Sequence, residues 1–202
     1  MPGDTVALVL CILFGYLLGS VPFSVLAGRR LAGVDVRQTG SRNPGAANVF
    51  RSVGRLAGAG VAIADTAKGA LPVAVALAAG LTPFQAIWPG VAAVLGHDFP
   101  PYLRFRGGKG GATTLGFLAC FVFPELVLVF LLWAILWVRV RRYRFLASIF
   151  ALSLTPLLVT WFGWTWPVRL AGRQAMVWVS LGMIALLWVR VFPGLLEKAR
   201  RD

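Results

Sequence analysis

The chain has 202 residues, of which 58% are hydrophobic and 13% are charged, and its formal net charge is +13. A soluble domain of this length could not bury so much apolar surface, so the composition indicates an integral membrane protein. The basic residues lie in short loops between apolar segments, which is typical of membrane orientation and disfavours nucleic-acid binding. Cys11 and Cys120 have no Cys or His at metal-ligand spacing, so neither a disulfide nor a metal site is expected.

The apolar segments predict an all-α protein, a single domain over residues 1–202 with about seven transmembrane helices. A helix that crosses the hydrocarbon core needs about 20 residues, and fewer where it is partly embedded. The third and fourth segments are short and Pro124 follows the fourth, so a bundle of five or six spans stays open. The seven predicted spans are residues 5–27, 58–80, 83–97, 111–123, 124–140, 145–163 and 173–191.

The charges around the first span predict its orientation. Asp4 precedes the apolar run and Arg29 and Arg30 follow it, which is unlike a secretory signal and indicates a retained helix with its N-terminus outside. Seven spans then place most of the 20 Lys and Arg residues, and the C-terminus, on the cytoplasmic side. Arg169 and Arg173 fall outside.

The longest loop carries polar side chains among small residues. In "TGSRNPGAANVFR", residues 39–51, Ser41, Asn43 and Asn48 can offer hydrogen bonds to oxyanions, and the small residues allow a close backbone approach. Arg51 can clamp a phosphate with two parallel hydrogen bonds. The alternative is a turn and helix start whose arginines serve topology alone.

The second predicted span contains two opposite charges in "DTAKGALPV", residues 65–73. Asp65 and Lys68 are three residues apart, so they share one helical face and can pair. Ionisable groups within a span usually face a polar site. The alternative is a structural ion pair between helices. Pro72 predicts a kink in this helix.

A glycine-rich stretch, "GHDFPPYLRFRGGKGGATT", covers residues 96–114. It fails the Walker A pattern, because Leu103 stands where that pattern needs Gly and Gly110 where it needs Ser or Thr. Lys109 among glycines before a helix start predicts an anion site. A flexible turn is the alternative. His97 is either a structural residue or a base; the His-x4-Asp pattern of soluble acyltransferases is absent, since Tyr102 occupies the Asp position.

Together these stretches resemble the bacterial acyl-phosphate:glycerol-3-phosphate acyltransferase family. Its three ordered blocks correspond to "GSVPFSVLAGRRLAGVDVRQTGSRNPGAANVFRSVG", "DTAKGALPV" and "GHDFPPYLRFRGGKGGATT", roughly residues 19–114 and about half of the chain. The resemblance implies transfer of a long acyl chain from acyl phosphate to the 1-hydroxyl of sn-glycerol 3-phosphate. The products would be lysophosphatidic acid and phosphate, in the first acylation of phospholipid synthesis.

The resemblance also implies the protein's setting and its site. It implies a helical bundle in the bacterial inner membrane with an active site open to the cytoplasm, no cofactor, and the two substrates and membrane lipid as partners. The candidate proton acceptors are His97, Asp65 and a substrate phosphate, whose second pKa near 6 makes it a usable base. The phosphate is favoured because the sequence shows no well-formed protein dyad. The implied catalytic residues are Ser41, Arg51, Lys109 and His97. The implied phosphate- and substrate-binding residues are Asn43, Asn48, Gly107, Gly108, Gly110, Asp65 and Lys68.

Three departures from the family pattern leave other functions open. Arg42 stands where glycine is usual, Ala47 replaces a threonine, and the tail "WVRVFPGLLEKARRD" lacks a "HREN-KRL" pattern. An inactive paralogue is one alternative. A small transporter using Asp65 and Lys68 is another, although it should show repeated halves. Polar residues concentrated at one face favour an interfacial enzyme.

Overall fold

The computed structural model of the chain describes residues 2–121 and, beyond them, short helical runs within 127–135 and 177–189. The chain divides into two compact units, Met1–Phe117 and Leu118–Asp202. The elements discussed below lie in the first unit, except for the last two residues of the sixth helix. In chain order the helices are α1 (Pro2–Ser20), α2 (Phe23–Ala32), α3 (Ala46–Ser52), α4 (Arg55–Ala78), α5 (Pro83–Asp98) and α6 (Gly111–Ala119), with a 3-10 turn at Pro101–Leu103.

The first predicted span, 5–27, is interrupted in the structure. Helix α1 ends at Ser20 and α2 begins at Phe23, so Val21 and Pro22 form a short link. Pro22 has no backbone N–H and cannot continue the helical hydrogen bonding of α1. The predicted continuous helix is therefore wrong at this point, and the break leaves the carbonyl of Val21 available to a side chain.

The next predicted spans correspond to α4 and α5. Helix α4 covers most of the predicted span 58–80 and runs past Pro72 to Ala78, and α5 covers the predicted span 83–97. Thr82 and Gln85 form a capping box that starts α5. Helix α6 begins at Gly111 as predicted but ends at Ala119, earlier than the predicted 123.

Two helical stretches in the described part are long and apolar enough to cross a membrane, Gly3–Ala32 and Arg55–Ala78. The predicted spans 124–140, 145–163 and 173–191 lie outside the continuously described residues. The count of seven spans, their orientation and the single domain therefore stay predictions.

Glycines let the helices around α4 and α5 approach closely. A Cβ on Gly19 of α1 would overlap the carbonyl of Ala93 in α5, and a Cβ on Gly69 of α4 would overlap the carbonyl of Thr113 in α6. Small residues at such crossings allow backbone-to-backbone packing in membrane helices. This packing holds α4 against the start of α6 and the polar stretch before it.

The first loop, residues 33–45, and α3 pack against the N-terminal end of α4. Gly33 ends α2 in the left-handed conformation, with φ 65°, and its N–H donates to the Gly28 carbonyl. An apolar cluster then joins the loop to α2, α3, α4 and the 3-10 turn. Its buried members are Val25, Val36, Val49, Val61 and Leu103.

Candidate active site

Three ionisable side chains, the buried trio, meet where α4 passes the end of α5. Lys68 Nζ lies 3.0 Å from Asp65 Oδ1, and both side chains are only 3% exposed. His97 Nδ1 lies 3.8 Å from the same carboxylate oxygen, and its side chain is 8% exposed. The predicted pairing of Asp65 with Lys68 is confirmed, and His97 joins the pair from the neighbouring helix.

The Lys68 ammonium has two further contacts at the break between α1 and α2. It donates to the Val21 carbonyl at 3.0 Å and lies 5.6 Å from the centre of the Phe23 ring. A buried ammonium is stable only when its charge is compensated and its protons are accepted. The carboxylate, the carbonyl and the aromatic face supply that compensation, so Lys68 ties the helix break to α4.

The glycine loop, residues 107–110, folds back over the end of α5. The N–H of Gly107 donates to the Asp98 carbonyl and that of Gly108 to the His97 carbonyl, each at 3.1 Å. A Cβ on Gly108 would overlap His97 Nε2, and one on Gly110 would come within 2.6 Å of Asp98 Oδ1. These glycines therefore allow approach to the protein's own His97 and Asp98. Their predicted approach to a substrate stays a prediction.

A small cavity lies between the buried trio and the glycine loop. Its volume is about 10 Å³, which is roughly the room needed by one water molecule. A phosphate ester does not fit there. The lining residues are Gly19, Ser20, Val21, Pro22, Phe23, Ser24, Pro44, Asp65, Lys68, His97, Pro100, Leu103, Gly107 and Gly108.

Asn48 organises the first loop from inside. Its Nδ2 donates to the carbonyls of Val36 at 2.7 Å and Thr39 at 3.0 Å. Its Oδ1 accepts from the backbone N–H of Ser41 at 3.0 Å and from the Ser52 hydroxyl at 3.3 Å. Asn48 is 1% exposed and its amide is fully occupied in shaping the loop. The described contacts thus give it a positioning role, and its predicted contact with substrate is untested.

The other predicted polar residues of the first loop and α3 are accessible. Ser41 and Arg51 are exposed, and Asn43 is half-buried. The loop reaches the glycine loop through Pro44, whose carbonyl would lie 3.0 Å from a Cβ on Gly108. Lys109 is half-buried within the glycine loop. The structure thus groups Asp65, Lys68, His97, Gly107 and Gly108 around one cavity and leaves Ser41 and Arg51 on the neighbouring surface.

Arg42 has a backbone conformation that disfavours its side chain. Its φ is 56°, in the left-handed region. This conformation costs an L-residue roughly 1–2 kcal/mol, whereas glycine adopts it freely. The turn therefore explains physically why glycine suits this position and why Arg42 is a departure.

An ion pair fixes the start of the first loop. Arg37 donates from Nε to Asp35 Oδ1 at 2.9 Å and from Nη2 to Oδ2 at 2.6 Å, and Arg29 donates to Oδ2 at 3.1 Å. The hydrogen bond from Arg37 holds the pKa of the Asp35 carboxyl well below its usual range, while burial opposes that shift. Asp35 in turn raises the pKa of Arg37. The pair is ionised at neutral pH.

The sequence patterns do not identify several buried polar residues that the structure places in this region. Ser20 and Ser24 line the cavity, Asp98 is 1% exposed under Gly110, and Thr113 Oγ1 is buried without a hydrogen-bond partner in the described part of the chain. Asp98 could have been found, because it directly follows His97 in an apolar stretch. A serine or threonine in a helix gives no such indication, since its hydroxyl can bond its own helix, as Ser20 does to the Tyr16 carbonyl. Over the described residues, no group of three or more His, Cys, Asp or Glu side chains could hold a metal ion.

The fold is helical and includes helices able to span a membrane. Its site is a polar cluster of compensating charges next to a glycine loop. A model of the family described as "Glycerol-3-phosphate acyltransferase" matches residues 9–193. The chain therefore belongs to the glycerol-3-phosphate acyltransferase family, whose members are membrane acyltransferases of phospholipid synthesis, and the resemblance seen in the sequence is confirmed.

Curated relatives of the chain carry the name glycerol-3-phosphate acyltransferase. The protein from Pseudomonas putida is 38% identical over 176 residues, which cover 87% of this chain and 88% of the relative. The protein from Thermotoga petrophila is 40% identical over 146 residues, which cover 72% of this chain and 74% of the relative.

Two solved structures share the fold. They are crystal structures of PlsY (YgiH), an integral membrane glycerol 3-phosphate acyltransferase, in its glycerol 3-phosphate form and its lysophosphatidic acid form. The TM-scores are 0.81 and 0.79, each at 32% identity over 96% of this chain and 92% of the other. From this likeness we conclude that the chain is an integral membrane protein.

Proposed function

We propose that this protein transfers a fatty acyl group from acyl phosphate to the 1-hydroxyl of sn-glycerol 3-phosphate. The observation that carries the proposal is the convergence of the three sequence blocks on one cavity. Pro44 comes from the first block, Asp65 and Lys68 from the second, and His97 and Gly108 from the third. The forms in which PlsY was crystallised, with glycerol 3-phosphate and with lysophosphatidic acid, support the same acceptor and product.

The accessible cations suit two substrates that both carry phosphate. Lys109 lies in the glycine loop immediately before α6, and Arg51 lies on the last turn of α3. Guanidinium and ammonium groups bind phosphate oxygens by charge-assisted hydrogen bonds. In the proposed site these two residues hold phosphate, Ser41 and Asn43 orient the substrates, and Asn48 keeps the loop in shape.

The reaction needs no covalent acyl-enzyme, because acyl phosphate is a mixed anhydride with a good leaving group. The 1-hydroxyl oxygen attacks the acyl carbon, the carbon–oxygen bond to phosphate breaks, and the ester forms. The hydroxyl proton goes to the departing phosphate, which leaves as hydrogen phosphate. Catalysis then rests on positioning and on stabilising negative charge as phosphate departs.

The buried trio is better suited to positioning than to accepting this proton. Asp65 is already paired with Lys68, and His97 Nε2 lies so close to the Gly108 backbone that a Cβ on Gly108 would overlap it. The adjoining cavity has room for about one water molecule and is too small for glycerol 3-phosphate. Substrate phosphate remains the favoured acceptor, and the trio fixes the glycine loop that carries Lys109.

The proposed cellular setting is the bacterial inner membrane, with the site facing the cytoplasm. The first loop and the glycine loop touch at Pro44 and Gly108, so they lie at the same end of the helices. The first loop carries Arg37 and Arg42, and Arg104, Arg106 and Lys109 lie in or just before the glycine loop. Cytoplasmic loops of membrane proteins are enriched in Lys and Arg.

The test is product formation by the purified wild-type protein. Palmitoyl phosphate would be supplied with and without glycerol 3-phosphate, and palmitoyl-CoA would replace it in a parallel reaction. We expect phosphate release that depends on the acceptor and equals the lysophosphatidate formed, with no product from palmitoyl-CoA. Product from palmitoyl-CoA and none from palmitoyl phosphate would refute acyl phosphate as the donor. A folded protein that is inactive with both donors would refute the transferase activity and favour an inactive paralogue.

A further inference from the structure

A basic groove contains none of the proposed catalytic residues, although it shares Leu103 with the cavity described above. It is about 540 Å³ in volume and is lined by Arg37 from the first loop and by Tyr102, Leu103, Arg104 and Arg106 from the turn after α5. Three of its five lining residues are arginines and none is acidic. Asp35 neutralises the charge of Arg37 in an ion pair. The net positive charge of the groove therefore comes from Arg104 and Arg106.

The turn that carries two of these arginines is rigid. The N–H groups of Arg104 and Arg106 donate to the carbonyls of Pro101 and Leu103, each at 3.1 Å. Leu103 is buried in the apolar cluster of the first unit and anchors the turn from below. The third arginine, Arg37, is held by its two hydrogen bonds to Asp35. The protein's own contacts therefore hold the backbone of the turn and the Arg37 side chain in place.

The same turn has an unfavourable backbone and exposed aromatic rings. Arg104 and Phe105 are successive non-glycine residues with φ of 52° and 60°, each in the left-handed region. Such conformations persist where the surroundings or a function require them. Tyr102 is 58% exposed and Phe105 is 60% exposed. Aromatic rings interleaved with arginines are typical of the level of lipid headgroups.

We propose that the basic groove binds the phosphate of an anionic phospholipid headgroup. Arg104 and Arg106 donate to the phosphate oxygens, Arg37 closes the opposite wall, and Tyr102 and Phe105 rest among the neighbouring lipids. Guanidinium groups suit this ligand because their planar donors match phosphate oxygens. The volume of the groove and the exposed rings favour a headgroup at the membrane surface over a free phosphate ion.

The test measures lipid binding by the intact protein, with native mass spectrometry in detergent. The probes are phosphatidylglycerol and phosphatidylcholine with identical chains, and inorganic phosphate as a competitor. Each arginine removed at a membrane surface lowers affinity about fivefold, so the Arg104→Gln/Arg106→Gln variant should bind phosphatidylglycerol about 25-fold more weakly. The matched control is Arg30→Gln/Arg55→Gln, which removes two exposed arginines outside the groove and should change binding less than twofold.

A second variant separates loss of binding from misfolding. Arg104→Gly removes the guanidinium and replaces an unfavourable left-handed residue with glycine, so this variant should fold. Its affinity for phosphatidylglycerol should nevertheless fall about fivefold. Equal losses in the groove and control double variants would overturn the proposal, because general surface charge would then explain the binding. Equal affinity for the two lipids, with displacement by inorganic phosphate, would also overturn it and assign the groove to a free anion.

Discussion

The buried trio and the surface formed by the first loop and the glycine loop use charge in opposite ways. In the trio, Asp65 and Lys68 compensate each other at 3.0 Å and both are almost fully buried. On the surface, Arg51 is exposed and Lys109 is half-buried in a glycine loop. Compensated interior charges fix geometry, whereas excess surface cations leave capacity for an anionic ligand. This difference is the basis for proposing that the trio positions the site and that Arg51 and Lys109 bind the substrates.

The largest expected effect comes from breaking the compensation inside the trio. Lys68→Met leaves Asp65 as an uncompensated buried charge, which typically costs about 3–5 kcal/mol. We expect a large fall in the thermal unfolding temperature in detergent. The matched control is the double variant Asp65→Leu/Lys68→Met, which removes both charges and should recover most of the lost stability. A double variant no more stable than Lys68→Met would show that the charges are not coupled.

The next effect tests whether the trio positions the glycine loop. Gly108→Ala places a methyl group against His97 Nε2, so either the ring or the loop must move. Overpacking of this kind costs about 1–3 kcal/mol, and a displacement of about 1 Å can lower activity about 100-fold. The readouts are unfolding temperature and acyl transfer. Gly111→Ala is the control, because a Cβ there meets nothing within 4 Å. Equal activity of the two variants would contradict the positioning role.

The smallest effect concerns the loop surface. Arg42→Gly relieves a left-handed backbone but gives the unfolded chain more freedom, so a gain of about 0.5–1 kcal/mol is expected. Arg42→Ala keeps the unfavourable φ while removing the charge, and should not gain stability. If both variants were equally stabilised, relief of charge repulsion rather than backbone conformation would be the cause.

The sequence predicts α4 and α5 well, because their apolar stretches are long. The start of α5 also has a strong local determinant, the capping box of Thr82 and Gln85. The sequence predicts the Asp65–Lys68 pair from spacing alone. It does not predict the break at Val21 and Pro22, because an apolar run conceals it. It could not show that His97 approaches Asp65, since that contact depends on how α5 crosses α4.

The role of each loop residue depends on tertiary contacts in a similar way. Ser41, Asn43 and Asn48 look equivalent in the sequence, but only the folded loop separates the fully bonded Asn48 from the exposed Ser41. Arg37, Arg104 and Arg106 come from distant segments and appear in the sequence only as topology arginines. The two segments are brought together by the apolar cluster, to which both Val36 and Leu103 belong.

The most direct measurement compares Lys109→Ala with Arg30→Ala for acyl transfer from palmitoyl phosphate to glycerol 3-phosphate. Both variants remove one cation, but only Lys109 lies in the glycine loop. We predict that kcat/KM falls at least about 100-fold in Lys109→Ala, as expected for a lost group that stabilises transition-state charge, and stays within about twofold of wild type in Arg30→Ala. A folded Lys109→Ala variant with wild-type kcat/KM would contradict the assignment of the glycine loop to the phosphate site.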